Sequence, residues 1–418
     1  MYTDEMARAC RRQFPALSRQ VGKDRAIYFD GPAGTQVPQR VIEAISDYLA
    51  HHNANHGGLF ASSRESDAIL DRTHQAMADF VGSADPDQIV FGPNMTTLTF
   101  AMSRALSRTW KAGDEVIVTR LDHDANVSPW VLAAADVGAV VRYVEVDPAT
   151  CTLDLDSYYS QLNERTRLVA VGCASNSVGT INPVRAMADA AHQQNALVYA
   201  DAVHYAPHAL LDVAALGCDF LACSAYKFFG PHIGVLWGRR ELLEQTAAYK
   251  LRPAPDELPG KWMTGTQNHE CLAGVLAAVD YLAEIGRTLA SDDSLDRRHA
   301  LASAFTGIAA YERGLLERLL QGLESIDEIT VWGLTDPARM DERLPTISIT
   351  HSRLTATQLA TALGNHGVFV WHGNYYALQL TESLGLEPEG MVRIGLVHYN
   401  TTDEVDRLIE LLGGALNV

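Results

Sequence analysis

Cysteine is sparse and scattered in this chain. The six residues (Cys10, Cys151, Cys173, Cys218, Cys223 and Cys271) include no CxxC pair. That spacing gives no metal-ligand cluster and no disulfide framework, so no metal and reduced thiols in a cytoplasmic protein are expected. Long apolar runs are missing too. No stretch approaches the ~20 residues that cross a bilayer. The opening MYTDEMARACRRQFPAL is interrupted by charge throughout and lacks the apolar segment of a signal peptide. Basic residues are the minority, 33 Lys and Arg against 51 Asp and Glu, for a formal net charge of -18. A field of that sign argues against a nucleic-acid or anionic-membrane partner, although a local pocket for a small anion is compatible with it. No repeat or low-complexity stretch is present.

The composition is that of a globular chain, 47% hydrophobic and 20% charged. At 418 residues it exceeds one ordinary core, and two lobes are expected. Strand-like runs (88–91, 115–119, 139–146, 168–172, 196–201, 219–223 and 234–238) alternate with amphipathic stretches at 95–110, 126–137 and 183–195. This pattern predicts an α/β fold with a mainly parallel seven-stranded sheet covered by helices, whose site lies at the strand carboxyl ends. Beyond Pro259 a long helical region spans about 270–326 with a break at 291–294. Strands are then read at 346–350, 368–371 and 392–396, with helices near 355–365 and from Thr402. The domain reading is an arm over 1–35, a large domain over 36–289 and a smaller α/β domain over 290–418.

Lys227 lies in CSAYKFFGPHIG, after the apolar run DFLAC. An apolar loop disfavours the ammonium, which frees the amine for nucleophilic or Schiff-base chemistry; a surface lysine with a packed stem is the plain alternative. Asp201 ends the run ALVYAD, 26 residues earlier. A Schiff-base lysine with such a carboxylate points to pyridoxal 5'-phosphate, whose pyridine nitrogen needs an acid partner for the ring to act as electron sink. Met95, Thr96 and Thr97 open a helix after QIVF and suit a phosphate, with Ser224 adding a hydroxyl. His123 in LDHDANVSPW can lie over the ring and serve as acid or base. Asn176 in SNSVGTINP can reach the ring oxygen or a substrate carboxylate. Arg393, in the apolar run MVRIGL, must be paired or face a cleft; a substrate carboxylate is its good bidentate partner, a salt bridge the alternative.

With these residues in place, the chain resembles the class V aminotransferase group of fold-type I pyridoxal-phosphate enzymes, nearest its cysteine desulfurase and selenocysteine lyase branch. The resemblance runs from YFDGPAGTQVP at 28–38 to HYNTTDEVDRL at 398–408. It implies that Lys227 forms the Schiff base, that Asp201 binds the pyridine nitrogen and that His123 stacks on the ring. It implies His204 near the phenolic oxygen, and Thr96, Ser224 and Tyr226 at the phosphate. Thr266 in GTQNHE would reach the phosphate of a partner subunit, which implies a homodimer. Arg393 would take the substrate carboxylate, with His56, Asn176, His372, Asn374 and Tyr375 as further substrate-side residues.

One departure stands out. Cysteine desulfurases carry a nucleophilic cysteine on the loop before that arginine. The corresponding stretch here is VWHGNYYALQL at 370–380, with Asn374 near that position, and no cysteine follows Cys271. The reading that results is an enzyme acting on an L-amino acid through external-aldimine and carbanion intermediates, first a C–S β-elimination lyase without a persulfide. A carbon–carbon bond-forming enzyme and a transaminase are the alternatives. An inactive partner protein is the non-enzymatic one, opposed by the joint presence of Lys227, Asp201, His123, Asn176 and Arg393.

Overall fold

The computed structural model describes residues 2–415. Seven strands form the large sheet: β1 (Ile89–Gly92), β2 (Glu115–Thr119), β3 (Val140–Val144), β4 (Thr166–Gly172), β5 (Leu197–Asp201), β6 (Phe220–Ser224) and β7 (Gly234–Gly238). Their spatial order is β1-β7-β6-β5-β4-β2-β3. Strand β7 pairs antiparallel with both β1 and β6, and the other pairings are parallel.

Both faces of this sheet are covered, and for that reason its strands are near-continuous apolar runs. Alternate residues enter different cores. Val169, Val171, Val198, Ala200 and Leu221 pack on one side. Leu168, Ala170, Tyr199 and Phe220 pack on the other, against α1 (Met95–Ser107) and α2 (Ser128–Val137). Helix α3 (Val184–Gln193) carries β4 over to β5.

Two long helices, α4 (His269–Ala290) and α5 (Arg297–Glu324), lead out of the large sheet region, and the turn between them occupies the expected break. Helix α5 belongs to two cores at once. Its Ala300–Ile308 stretch packs in the large core, while Leu315, Leu316, Leu319 and Leu323 pack in the smaller one. The smaller sheet holds β8 (Ile329–Trp332), β9 (Thr346–His351), β10 (Trp371–Gly373) and β11 (Met391–Gly395) in the order β8-β9-β11-β10, all antiparallel. It is covered by α6 (Ala356–Asn365), while α7 (Thr402–Glu410) packs on α5 and adds Val405 and Leu408 to the same core. Helix α7 opens with a capping box between Thr401 and Glu404. The amino-terminal helix Asp4–Arg11 clasps it through Arg8–Asp403 and Arg11–Glu404 ion pairs.

The run 368–371 is not one strand. Val368–Phe369 pairs in parallel with Ile27–Tyr28, whereas Trp371–Gly373 pairs with β11. The chain changes sheets at Val370, and this hands the following residues to the mouth of the large-sheet site.

Candidate active site

A cavity of about 490 Å³ lies at the carboxyl ends of the large-sheet strands, closed on its far side by β10, β11 and the strap that follows β10. Each strand delivers one piece. β1 leads into Asn94, Met95 and Thr96; β2 into Asp122 and His123; β4 into Asn176. β5 ends on Asp201 and β6 on Ser224, with Lys227 one turn further on. His204, Tyr226, Arg393 and the strap residues Trp371, His372, Asn374, Tyr375 and Tyr376 complete the wall.

Lys227 Nζ donates to the carbonyls of Pro32 and, at 3.0 Å, Ala33. Burial and the Arg393 charge pull its pKa down to about 7, against the opposing pull of Asp201 and Asp30. Asp201 accepts from Val203 N–H at 2.8 Å through Oδ1. Burial pushes its pKa up to about 6, opposed by that hydrogen bond and by Lys227. Below it, Asp122 accepts from Gly172 N–H at 2.9 Å and from Asn126 Nδ2 at 2.8 Å. A Cβ at Gly172 would sit 2.8 Å from Asp122 Oδ1, so any larger residue there would push this carboxylate aside.

At the other end of the cavity, Ser224 Oγ accepts the Met95 amide at 3.1 Å, while Asn94 caps α1 by accepting the Thr97 amide at 2.8 Å. The start of β7 approaches this turn so closely that a Cβ at Gly234 would lie 2.2 Å from the Asn94 carbonyl carbon. The α1 amino terminus therefore abuts the cavity with Thr96 and Ser224 at its rim, a ready site for an anion.

His123 caps the turn Asp124–Asn126 by accepting Ala125 N–H on Nδ1 at 3.0 Å. The Tyr376 ring lies stacked on it, centroids 5.4 Å apart and planes 29° apart. The Arg393 guanidinium donates to Asn176 O at 2.8 Å, and Asn176 Nδ2 donates to Tyr375 O at 2.9 Å. Asn176 Oδ1 is buried with no donor. His204 is buried, with Nε2 3.0 Å from Thr346 Oγ1.

The structure thus brings together Met95, Thr96, His123, Asn176, Asp201, His204, Ser224, Tyr226, Lys227, His372, Asn374, Tyr375 and Arg393. Thr97 is exposed and spends its side chain on Asn94. His56 is exposed and paired with Asp67 at 2.7 Å, and Thr266 lies on an exposed loop; in this chain neither lines the cavity. Three contributions escape the sequence reading: Asp122, Asp30 and the Pro32–Ala33 carbonyls. Polar loop residues of this kind carry no periodic signal, and only the quoted YFDGPAG run marks the last two.

The donor set fits pyridoxal phosphate. An amine stands between a carboxylate and an anion-binding helix start, an imidazole flanks the space, and an arginine waits beyond it. The comparisons agree. The chain matches the aminotransferase class-V family over residues 27–408 and belongs to it. Its enzymes depend on pyridoxal 5'-phosphate, and so does this one. An aminotransferase-like protein of Gibberella zeae is 34% identical over 412 residues, 96% of each chain. A cysteine desulfurase of Klebsiella pneumoniae is 31% identical, covering 96% of this chain and 95% of its own. Among solved structures, a cysteine desulfurase from Thermococcus onnurineus superposes with a TM-score of 0.87 at 25% identity, over 98% of this chain and 97% of the other.

Proposed function

We propose that this cysteine-desulfurase-like enzyme is a C–S β-elimination lyase acting on a sulfur-bearing L-amino acid, with no protein thiol taking part. The observation that carries the reading is the strap at 371–376. It stands across the mouth of the cavity, contains no cysteine, and is pinned there by Asp124 N–H to Tyr376 O at 2.7 Å and Asn176 Nδ2 to Tyr375 O.

Bound pyridoxal phosphate supplies the electron sink that makes the substrate Cα–H acidic. Lys227 would hold the cofactor and, as the free amine, would take the Cα proton; its low pKa supports that duty at neutral pH. Asp201, whose Oδ1 alone is engaged by Val203, would keep the pyridine nitrogen protonated. Thr96, Ser224, Tyr226 and the Met95 turn would hold the phosphate, and Thr97 secures that turn through Asn94. His204 would be the residue offered to the ring oxygen. Arg393 takes the substrate carboxylate, with Asn176, His372, Asn374 and Tyr375 around it. The Cβ–S bond breaks, the sulfur leaves as a thiol with one proton, and water hydrolyses the released aminoacrylate to pyruvate and ammonia. No oxidant or reductant is consumed.

We also propose a homodimer in which Thr266 and His56 complete the partner's site. Exposed Leu59 (94%) and Phe60 (56%), close to His56 in the chain, support this. The division at 289/290 into a large and a small domain is likewise a proposal; the turn after α4 lies beside it, although the first half of α5 packs in the large core.

The test is to incubate the cofactor-loaded protein with cysteine, cysteine S-conjugates, cysteine sulfinate, aspartate and alanine, and to identify products by mass spectrometry. Pyruvate, ammonia and a thiol in equal amounts support the lyase. Alanine with sulfur retained on the protein, or a keto acid formed only with an amino acceptor, overturns it.

A further inference from the structure

We infer that His123 is held in this site as a fixed Nε2–H donor and ring-stacking residue, and that it is not the acid or base that moves the substrate's proton. This deepens the reading above and rests on it for the substrate alone.

The Ala125 amide donates to His123 Nδ1 at 3.0 Å. A backbone amide has only a proton to offer, so Nδ1 must present its lone pair. The single proton of the neutral ring is then on Nε2. Protonating Nδ1 would set two N–H groups against each other across that gap and strip the cap from the turn Asp124–Asn126.

The groups around the ring supply nothing that would offset this. Lys227 and Arg393 face it as cations, and together with burial they lower the imidazole's pKa to about 4. The neighbouring carboxylates are engaged elsewhere. Asp122 serves Gly172 and Asn126, and Asp124 accepts the Ser128 hydroxyl at 2.7 Å. Tyr376, itself 71% exposed, lies offset against one face of the ring. Tyr376 reaches that position in a left-handed backbone conformation, φ 61°, directly after Tyr375 at φ 55°. Two adjacent tyrosines held in a conformation that non-glycine residues avoid mark the strap backbone as held by its contacts, the Asp124 N–H bond to Tyr376 O among them.

The chemical consequence is specific. Nε2 bears its proton and has no lone pair, so it cannot accept one from Cα. It can donate a hydrogen bond to an acceptor on the cofactor or to the departing sulfur. The transferable proton passes to Lys227, the titratable amine in the cavity. Tyr376 is then a positioning residue, acting through the imidazole plane.

The decisive experiment is nitrogen NMR on the cofactor-loaded protein carrying ¹⁵N-histidine, read through long-range couplings to the ring protons. The His123 signals are assigned by difference from His123→Gln or, should that variant fail to load cofactor, by contacts to the Tyr376 ring. The expected result is an unprotonated Nδ1 and a protonated Nε2, unchanged between about pH 5.5 and 8.5. A proton on Nδ1, or a titration within that range, overturns the inference. Neither readout needs turnover, so a failure of the lyase reading stays separate. As a second measurement, His123→Gln keeps an N–H donor and His123→Phe keeps only a stacking ring. The Gln variant is expected to retain about 10-fold more kcat than Phe. Equal losses remove the donor role, and a limb of the wild-type pH profile that disappears in the Gln variant restores His123 as a titrating group.

Discussion

The Arg393 guanidinium sits over the ring of Tyr375, Cζ 4.4 Å from the centroid, and the Tyr375 hydroxyl donates to Met391 O on the same strand as the arginine. One tyrosine thus braces the planar cation from below and ties the strap to β11. Tyr375→Leu removes the brace but leaves the arginine. A partly desolvated cation–π contact contributes roughly 1–2 kcal/mol, so the expected effect is a rise of about 5- to 30-fold in KM for the amino acid. Tyr375→Phe retains the stack and is expected to fall between the two. Steady-state kinetics on both variants check this; an unchanged KM in Tyr375→Leu shows that Arg393 needs no brace.

Arg393 itself offers a fixed planar fork that a lysine cannot copy. Its Nη1 is committed to Asn176 O, and its remaining donors are the ones available to a substrate carboxylate. Charged hydrogen bonds contribute about 1.5–3 kcal/mol, so Arg393→Lys is expected to raise KM between about 10- and 150-fold while cofactor absorbance stays intact. If KM is unmoved, the arginine is a structural residue of β11.

The pieces of the site that the sequence made legible share one property. Lys227, Asp201, His123 and Asn176 each follow an apolar run, and such runs become buried parallel strands whose carboxyl ends meet in space. Patterning therefore places them together without knowledge of any contact. The strap behaves differently. The run 368–371 reads as one strand, yet its first two residues pair with Ile27–Tyr28 and its last pairs with β11. Tertiary pairing decides that split, and local propensity carries no trace of it. The left-handed Tyr375–Tyr376 pair is hidden for the same reason, because tyrosine signals a strand rather than a turn. Asp122 and Asp30 read as loop polars and prove to be buried or nearly so.

Cofactor capture carries a pH signature. Lys227 must be neutral to attack the aldehyde, and burial with Arg393 lowers its pKa to about 7. Below that value the ammonium dominates in the apoprotein, and above it the amine dominates. The rate of capture is expected to climb about tenfold per unit up to pH 7 and then level off. Stopped-flow absorbance of apoprotein mixed with pyridoxal phosphate reads this directly. A climb that continues toward pH 10 indicates a lysine exposed to solvent.

Asp122 supports the site from beneath through its acceptors. Replacing it with alanine leaves the Gly172 amide and the Asn126 side-chain donor buried without partners, a cost of about 1–3 kcal/mol. For a chain of this size the loss corresponds to a Tm lowered by roughly 1–3 °C. The sign of the pH dependence follows from the carboxyl's state. Burial, reinforced by the Asp201 charge, raises the Asp122 pKa to about 7, so the fold disfavours its ionised form. Wild-type stability therefore gains a contribution as pH falls from about 7 toward the ordinary aspartate value, and the alanine variant lacks it. The gap in Tm between the two is expected to be wider at about pH 5.5 than at about pH 8.5. Differential scanning calorimetry at both pH values decides it, and a gap that widens at high pH instead would mean that Asp122 stabilises the fold as a carboxylate.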